Sequence, residues 1–319
     1  MTAITEKEAL QILNIENPEK LDNIFKTATK IREKYFKKNI SACSIVNARC
    51  GGCIENCSFC AQSKRSKAVI NYYPLISSEE MFKCAQEADD LGVERIGIVT
   101  SGRSVEFGSN ELNTICQAIK QIRTHLKILP CASLGLLDEM ALQALKDAGL
   151  QRYHNNLETC ESYFSTICST RNYNDQIDTI KTAQKIGLEI CCGGIFGMGE
   201  TNEQRVEMLS AIKSLNVESI PINFLTPIPG TLLENMNELT PLICLKIIAT
   251  ATLMMPGKAI RVCGGREYNL KDEQFRMFEA GVSSFMTGGY LVTPGRSIAE
   301  DMQMIKDSGL KFSRLGDSV

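Results

Sequence analysis

Tryptophan is absent from this chain of 319 residues, and histidine occurs only twice. So few imidazoles argue against a His-rich zinc or non-haem iron centre; any bound iron would have to be held by sulfur. Long apolar runs are also missing, so no membrane span is expected. Met1 to Asn39 is studded with Glu, Lys and Asn and lacks the apolar centre of an export signal, which predicts a cytoplasmic protein. Charge of one sign is not in excess either. The formal net charge is −2 and the pI is near 5.9, so there is no electrostatic footprint for nucleic acid.

Cysteine, by contrast, is abundant, at 14 residues. Without an export signal these read as free thiols, metal ligands or redox groups rather than as a disulfide framework. The hydrophobic fraction of 44% is ample for a large core.

Past a polar, helical N-terminal extension (1–40), short β-branched or apolar runs alternate with amphipathic stretches. Strands are predicted at Cys43–Ala48, Arg95–Thr100, Lys127–Ala132, Arg152–Glu158, Leu188–Ile195, Ser219–Leu225, Ala259–Cys263 and Ser283–Thr287. Helix signals fall between them. Ser77 and Glu80 form a capping-box pattern before Met81, Cys84, Ala88 and Leu91. Asp138 opens a helix with Met140, Leu142, Leu145 and Ala148 on its apolar face, and Thr240-Pro241 launches another that ends at Met255. Eight strand–helix units predict an α/β fold, a (β/α)8 TIM-type barrel over 41–319 as a single domain; a doubly wound sheet is the competitor.

In such a barrel, chemistry belongs at the C-terminal ends of the strands. Just after the first strand comes Cys53-Ile-Glu-Asn-Cys-Ser-Phe-Cys60. Three thiolates from one short loop can hold three irons of a cubane and leave the fourth open, whereas zinc usually wants a fourth protein ligand. Other strands carry Cys131, Asn156, Glu158, Cys191, Asn223, Arg261 and Cys263, where Val, Ile or Leu would be usual. Cys84, Cys116 and Cys244 fit as small core residues on helices, while Cys43, Cys50, Cys160 and Cys168 have no assigned partner. On the residues alone, the glycines of Gly193-Gly-Ile-Phe-Gly197 also suit a strand-to-helix turn. Glu158 and Arg171 also suit strand-end or surface charges, and Asn156 and Asn223 satisfied core amides.

The C-x-x-x-C-x-x-C spacing, with Phe59 before its last cysteine, resembles that of the radical S-adenosylmethionine (SAM) enzymes. Within them the chain resembles the biotin synthase family, over nearly its whole length. The matching stretches are Asn47-Ala-Arg, Cys60-Ala-Gln-Ser63, Tyr153-His-Asn-Asn-Leu-Glu-Thr159, Gly193-Gly-Ile-Phe-Gly-Met-Gly-Glu-Thr201, Pro221-Ile-Asn-Phe-Leu225, Pro229-Gly-Thr231 and Arg261-Val-Cys-Gly-Gly-Arg-Glu267. The resemblance implies a radical SAM sulfurtransferase that inserts sulfur between C6 and C9 of dethiobiotin, with the sulfur drawn from an auxiliary iron–sulfur cluster. Hydrogenase-maturation and methylornithine-forming barrels are the alternative.

By that resemblance Cys53, Cys57 and Cys60 ligate a [4Fe–4S] cluster that binds SAM, and no acid–base triad is expected. Phe59, Glu158, Arg171, Gly193, Gly194 and Gly197 lie at SAM-contacting positions, and Asn156 and Asn223 at positions that bind the ureido ring of dethiobiotin. Reduced flavodoxin or ferredoxin is implied as electron donor, and a homodimer as the assembly. The usual auxiliary cluster is a [2Fe–2S] group held by three strand cysteines and an arginine. Cys131, Cys191 and Arg261 match three of those positions, but the remaining one is Gly97. The expectation is therefore a different auxiliary cluster, a four-iron one being an option. Cys131, Cys191 and Cys263 would hold it, Cys192 is a further candidate, and Arg261 is either a neighbour or a ligand.

Overall fold

The structure is a computed structural model that describes residues 2–314; residues 1 and 315–319, at the ends of the two predicted units, lie outside it. Helix α1 (Glu6–Leu13) is closed by a Thr5/Glu8 capping box, and α2 (Pro18–Phe36) by Asn17 with proline at the first helical position. The chain then alternates. Strand β1 (Asn39–Arg49) leads to α3 (Ser78–Asp90), β2 (Arg95–Thr100) to α4 (Asn110–His125), and β3 (Leu129–Ser133) to α5 (Glu139–Asp147). Strand β4 (Arg152–His154) is followed by α6 (Glu161–Ile167) and α7 (Tyr173–Lys185). Strands β5 (Glu189–Cys191) and β6 (Gly194–Phe196) precede α8 (Asn202–Ser214), and β7 (Ser219–Phe224) precedes α9 (Pro241–Met254). The last units are β8 (Ala259–Val262) with α10 (Arg266–Leu270), β9 (Ser284–Met286) with α11 (Ile298–Asp307), and β10 (Lys311–Phe312).

All strand pairings are parallel, and β9 closes on β1 through Ser41↔Ser284 and Cys43↔Met286. The result is an eight-strand (β/α)8 barrel, because β5 and β6 are two halves of one strand, interrupted at Cys192-Gly193 and both paired with β7. β10 lies outside it, against the start of β1. The predicted strands differ from the observed ones chiefly in three places. The first strand begins at Asn39, four residues before the predicted Cys43. Arg152–Glu158 keeps strand form only to His154, with an isolated bridge from Glu158 to Gly194 beyond it. Leu188–Ile195 is split.

Outward-facing strand residues such as Ile96, Ile98, Tyr153, Ile190 and Val262 are buried in the apolar layer under the helices. Helix α9 is apolar on almost every side because α1 and α2 pack across it. Three helix predictions shift. Met140 and Cys84 are exposed and Leu91 is half exposed, while Ala141 and Ala85 take the buried positions. Among the described residues, no helix is long and apolar enough to cross a membrane.

The strand register fixes which inward residues share a level. Cys43 pairs with Arg95, and Arg95 with Leu129, two residues before Cys131. Cys131 pairs with Arg152, and Arg152 with Glu189, two before Cys191. Cys191 pairs with Ser219, and Ser219 with Ala259, two before Arg261. Arg261 pairs with Ser284, and Ser284 with Ser41, two before Cys43. This climb of two residues for every two strands closes on itself, as a shear of eight requires. Cys43, Cys131, Cys191 and Arg261 therefore form one layer, contributed by alternate strands. Cys263 lies one inward step closer to the mouth.

Candidate active site

The barrel axis holds a cavity of about 360 Å³, lined from the cysteine loop at its mouth down to the thiol layer. Cys53 accepts Lys64 N–H at 2.8 Å through its carbonyl and donates its own N–H to Gln62 at 3.2 Å. Ser58 N–H reaches the Ile167 carbonyl at 2.9 Å. Glu55, buried within the loop, accepts from Arg103 at 3.1 Å and from the Thr170 hydroxyl. A buried carboxylate is tolerated only when so partnered. These bonds tie the loop to the segments after β2 and before α7, so its thiols cannot drift. Phe59 and Cys60 reach the cavity. Cys57 is outside the cavity lining and interacts with the Cys168 thiol, which raises the Cys57 pKa and lowers that of Cys168 to about 5.

Beyond the end of β4, Glu158 and Asn156 face the cavity. Burial pushes the Glu158 carboxyl up, against the pull of Arg171 and His154. Its φ of 66 is a left-handed conformation rare outside glycine, the kind of strain that collects at functional positions. Arg171 is outside the cavity lining; Gln176, with its amide oriented to accept, takes its Nε at 2.9 Å and Nη2 at 3.1 Å. Cys57 and Glu158 both act on the Arg171 charge, so it sits beside the loop rather than on the surface.

Asn156 Oδ1 accepts from Gly193 N–H at 3.1 Å and its Nδ2 donates to Glu158 at 3.4 Å. Asn223 Oδ1 accepts from Gly264 N–H at 3.0 Å and its Nδ2 donates to the Gly194 carbonyl at 3.2 Å. Each amide thus spends one donor and one acceptor site on the fold and keeps one of each for a ligand.

Gly193, Gly194 and Gly197, expected to let backbone approach SAM, do not line the cavity. A Cβ on Gly193 would fall 1.8 Å from the Pro221 carbonyl oxygen, and one on Gly194 would fall 2.7 Å from that of Glu158. Close packing of the split strand against its neighbours accounts for both. Gly197 adopts φ 92 in a turn whose N–H groups are received by Glu200.

Lower in the barrel, Cys131, Cys191, Cys263 and Arg261 all line the same cavity. Cys192 does not. It follows Cys191 with the opposite facing and is fully buried in the apolar layer, where its influence reaches Tyr173 of α7. Cys43, left without a partner by sequence reading, is in the lining, and so is His154. Sequence reading began the first strand at Cys43, which hid its place four residues inside β1. Burial works against the Arg261 charge, but Cys43, Cys191 and Cys263 hold its pKa above the usual value. The Nε atoms of Arg261 and Arg95 are buried without a hydrogen-bond partner, and Arg95 Nη1 lies 4.0 Å from Cys131 Sγ. Arg95 is also paired with Glu189 at 3.2 Å, so it is chiefly the Arg261 guanidinium that calls for an anionic occupant.

This donor set fits iron–sulfur groups. Among the described residues, no three Cys, His, Asp or Glu side chains converge as a single ion would need. Thiols spread round a cavity with guanidinium groups between them suit a larger, negatively charged cluster.

Residues 49–212 match the Radical SAM superfamily, and residues 221–311 match the Biotin and Thiamin Synthesis associated domain. A biotin synthase from Geotalea uraniireducens is 46% identical over 99% of this chain and 95% of its own length. That of Geobacter sulfurreducens is 45% identical over 97% and 93%. The chain belongs to the biotin synthase family.

As such it is a radical SAM sulfurtransferase that converts dethiobiotin to biotin, and the family uses a [4Fe–4S] cluster, SAM and an auxiliary iron–sulfur cluster. Solved structures support the fold. A methylornithine synthase superposes with a TM-score of 0.86 at 20% identity, covering 99% of this chain and 96% of its own. The FeFe-hydrogenase maturase from Carboxydothermus hydrogenoformans gives 0.83 at 20%, covering 98% and 76%. The biotin synthases share far more sequence, so those two barrels speak for architecture alone.

Proposed function

We propose that the cavity seats its reactants in series between the two cluster sites. Cys53, Cys57 and Cys60 hold the [4Fe–4S] cluster, and SAM docks against it beside Phe59, with Glu158 toward the ribose and Arg171 toward the carboxylate. Dethiobiotin lies below, its ureido ring between Asn156 and Asn223. Cys131, Cys191 and Cys263 hold the auxiliary cluster, with Arg261 as a charge neighbour. The observation that carries this reading is the placement of Asn156 and Asn223, which face one cavity between the cysteine loop and the thiol layer with hydrogen-bonding capacity to spare.

When bound, the loop cluster supplies the electron that splits SAM into methionine and a 5′-deoxyadenosyl radical, and the auxiliary cluster supplies the sulfur. The protein binds and orients. The two amides fix the ring so that C9 and C6 face the radical source from one side and the sulfur source from the other. The barrel wall keeps water and stray hydrogen donors away from the radical.

Lys64, Arg65 and Lys67 are exposed beside the loop and suit docking of an acidic electron carrier, a flavodoxin or ferredoxin. All 14 cysteines are free thiols, which suits a reducing cytoplasm; a homodimer is the assembly the family resemblance implies.

The test is anaerobic incubation of the iron- and sulfide-loaded protein with SAM, dethiobiotin and reductant. Biotin and 5′-deoxyadenosine, identified by mass, are expected together. 5′-Deoxyadenosine formed equally well without dethiobiotin, and no biotin, would overturn the substrate assignment.

A further inference from the structure

The family resemblance puts a cysteine of the auxiliary site where this chain has Gly97, and the barrel register brings another thiol to the layer of that site. Gly97 faces the cavity from β2 and pairs with Ile45 of β1 on one side and Cys131 on the other. On β1 the inward residue one step below Ile45 is Cys43, which pairs with Arg95. Cys43 shares its layer with Cys131, Cys191 and Arg261, each from an alternate strand.

We infer that Cys43 is the fourth ligand of the auxiliary cluster, so that Cys43, Cys131, Cys191 and Cys263 form an all-thiolate site and Arg261 is a counter-cation. This rests on the proposal that Cys131, Cys191 and Cys263 hold that cluster.

Three observations carry it. All four cysteines line one cavity, so these side chains face a common region. The Nε of Arg261, in the same layer, has no partner although the residue is 3% exposed, which marks a buried cation awaiting negative charge. The levels also suit a cubane. Cys43, Cys131 and Cys191 lie in one plane, while Cys263 is raised by two residues, about 7 Å of strand rise. Four thiols in one plane would suit the tetrahedral corners of a cubane poorly, and three in a plane with a fourth lifted above it suit them well. A cysteine at 97 would instead belong to the adjoining strand, one step nearer the mouth. Cys192, facing away from the axis, is not needed.

The experiment removes the loop site first. In a Cys53→Ala, Cys57→Ala, Cys60→Ala background, any cluster that remains belongs to the barrel. Iron, acid-labile sulfide and Mössbauer spectra are recorded after anaerobic loading with ferrous iron and sulfide. The background protein is expected to carry a four-iron signal. Adding Cys43→Ala is expected to remove that signal and at least half of the iron, while adding Cys84→Ala leaves both unchanged. Iron, sulfide and spectra unaltered by Cys43→Ala would overturn the assignment of Cys43. A background protein that binds no iron at all would overturn the auxiliary-site proposal beneath it, a distinct result. Far-ultraviolet circular dichroism of the metal-free variants checks folding. If Cys43→Ala does not fold, Cys43→Val, which fills the space without a ligating atom, is read in the same way.

Discussion

Single residues in this barrel serve the fold and the site at once, and substitutions can separate the two. Glu158 is held at φ 66, where glycine is at ease and glutamate is not. In Glu158→Gly, relief of strain and the greater freedom of the unfolded chain oppose each other, so stability should stay within about 1 kcal/mol. SAM affinity, by equilibrium dialysis of the loaded protein, should fall by about tenfold, the loss of one charge-assisted hydrogen bond; unchanged affinity would remove Glu158 from the SAM site. Asn223→Ala should weaken dethiobiotin binding by about tenfold and also lower the melting temperature slightly, since Asn223 braces Gly264 and Gly194. The three loop thiols were legible from their spacing, and the two amides and Glu158 as cavity residues only through the family resemblance. Cys43 was not, because a cysteine at the apparent start of a strand looks like any small apolar residue until register gives it a level.

At the scale of elements, the split strand β5/β6 shows why some glycines are there. Gly193→Ala would put a methyl group 1.8 Å from a backbone oxygen of β7, and backbone cannot move aside cheaply. A loss of more than about 4 kcal/mol, or failure to fold, is expected in urea unfolding of the metal-free protein. Gly97→Ala is the contrast. Its added Cβ would lie 3.3 Å from Ile45 Cγ2 and otherwise make ordinary contacts, and φ is ordinary there, so a change within about 1 kcal/mol is expected. Sequence periodicity located nearly every element, since strands of this barrel carry β-branched outward faces and the helices carry capping signals such as Ser77/Glu80 and Thr240-Pro241. It could not show that Gly193 and Gly194 answer to Pro221 and Glu158, because those contacts join distant parts of the chain.

Across the whole molecule, the closing elements of the barrel also shape its mouth. Arg266, fully buried after β8, donates to both carboxylate oxygens of Asp301 on α11 at 2.9 Å, and Thr287 donates to the same carboxylate at 2.7 Å. Glu267 accepts from Tyr290, which lines the cavity, at 2.9 Å. One network thereby locks the last helix and the loop over the mouth to β8. Asp301→Asn would strand a buried guanidinium and should cost about 3–5 kcal/mol, read as a lowered midpoint in urea unfolding. The barrel so closed places a thiol layer at its floor, amides in its middle and a three-cysteine loop at its mouth, in keeping with sulfur delivered from within the protein. Loading the protein with heavy-isotope sulfide, removing the excess, and running one anaerobic turnover with unlabelled dethiobiotin tests that directly. Biotin carrying the heavy sulfur, in no more than one equivalent per chain, is expected; biotin with only light sulfur taken from the medium would contradict it.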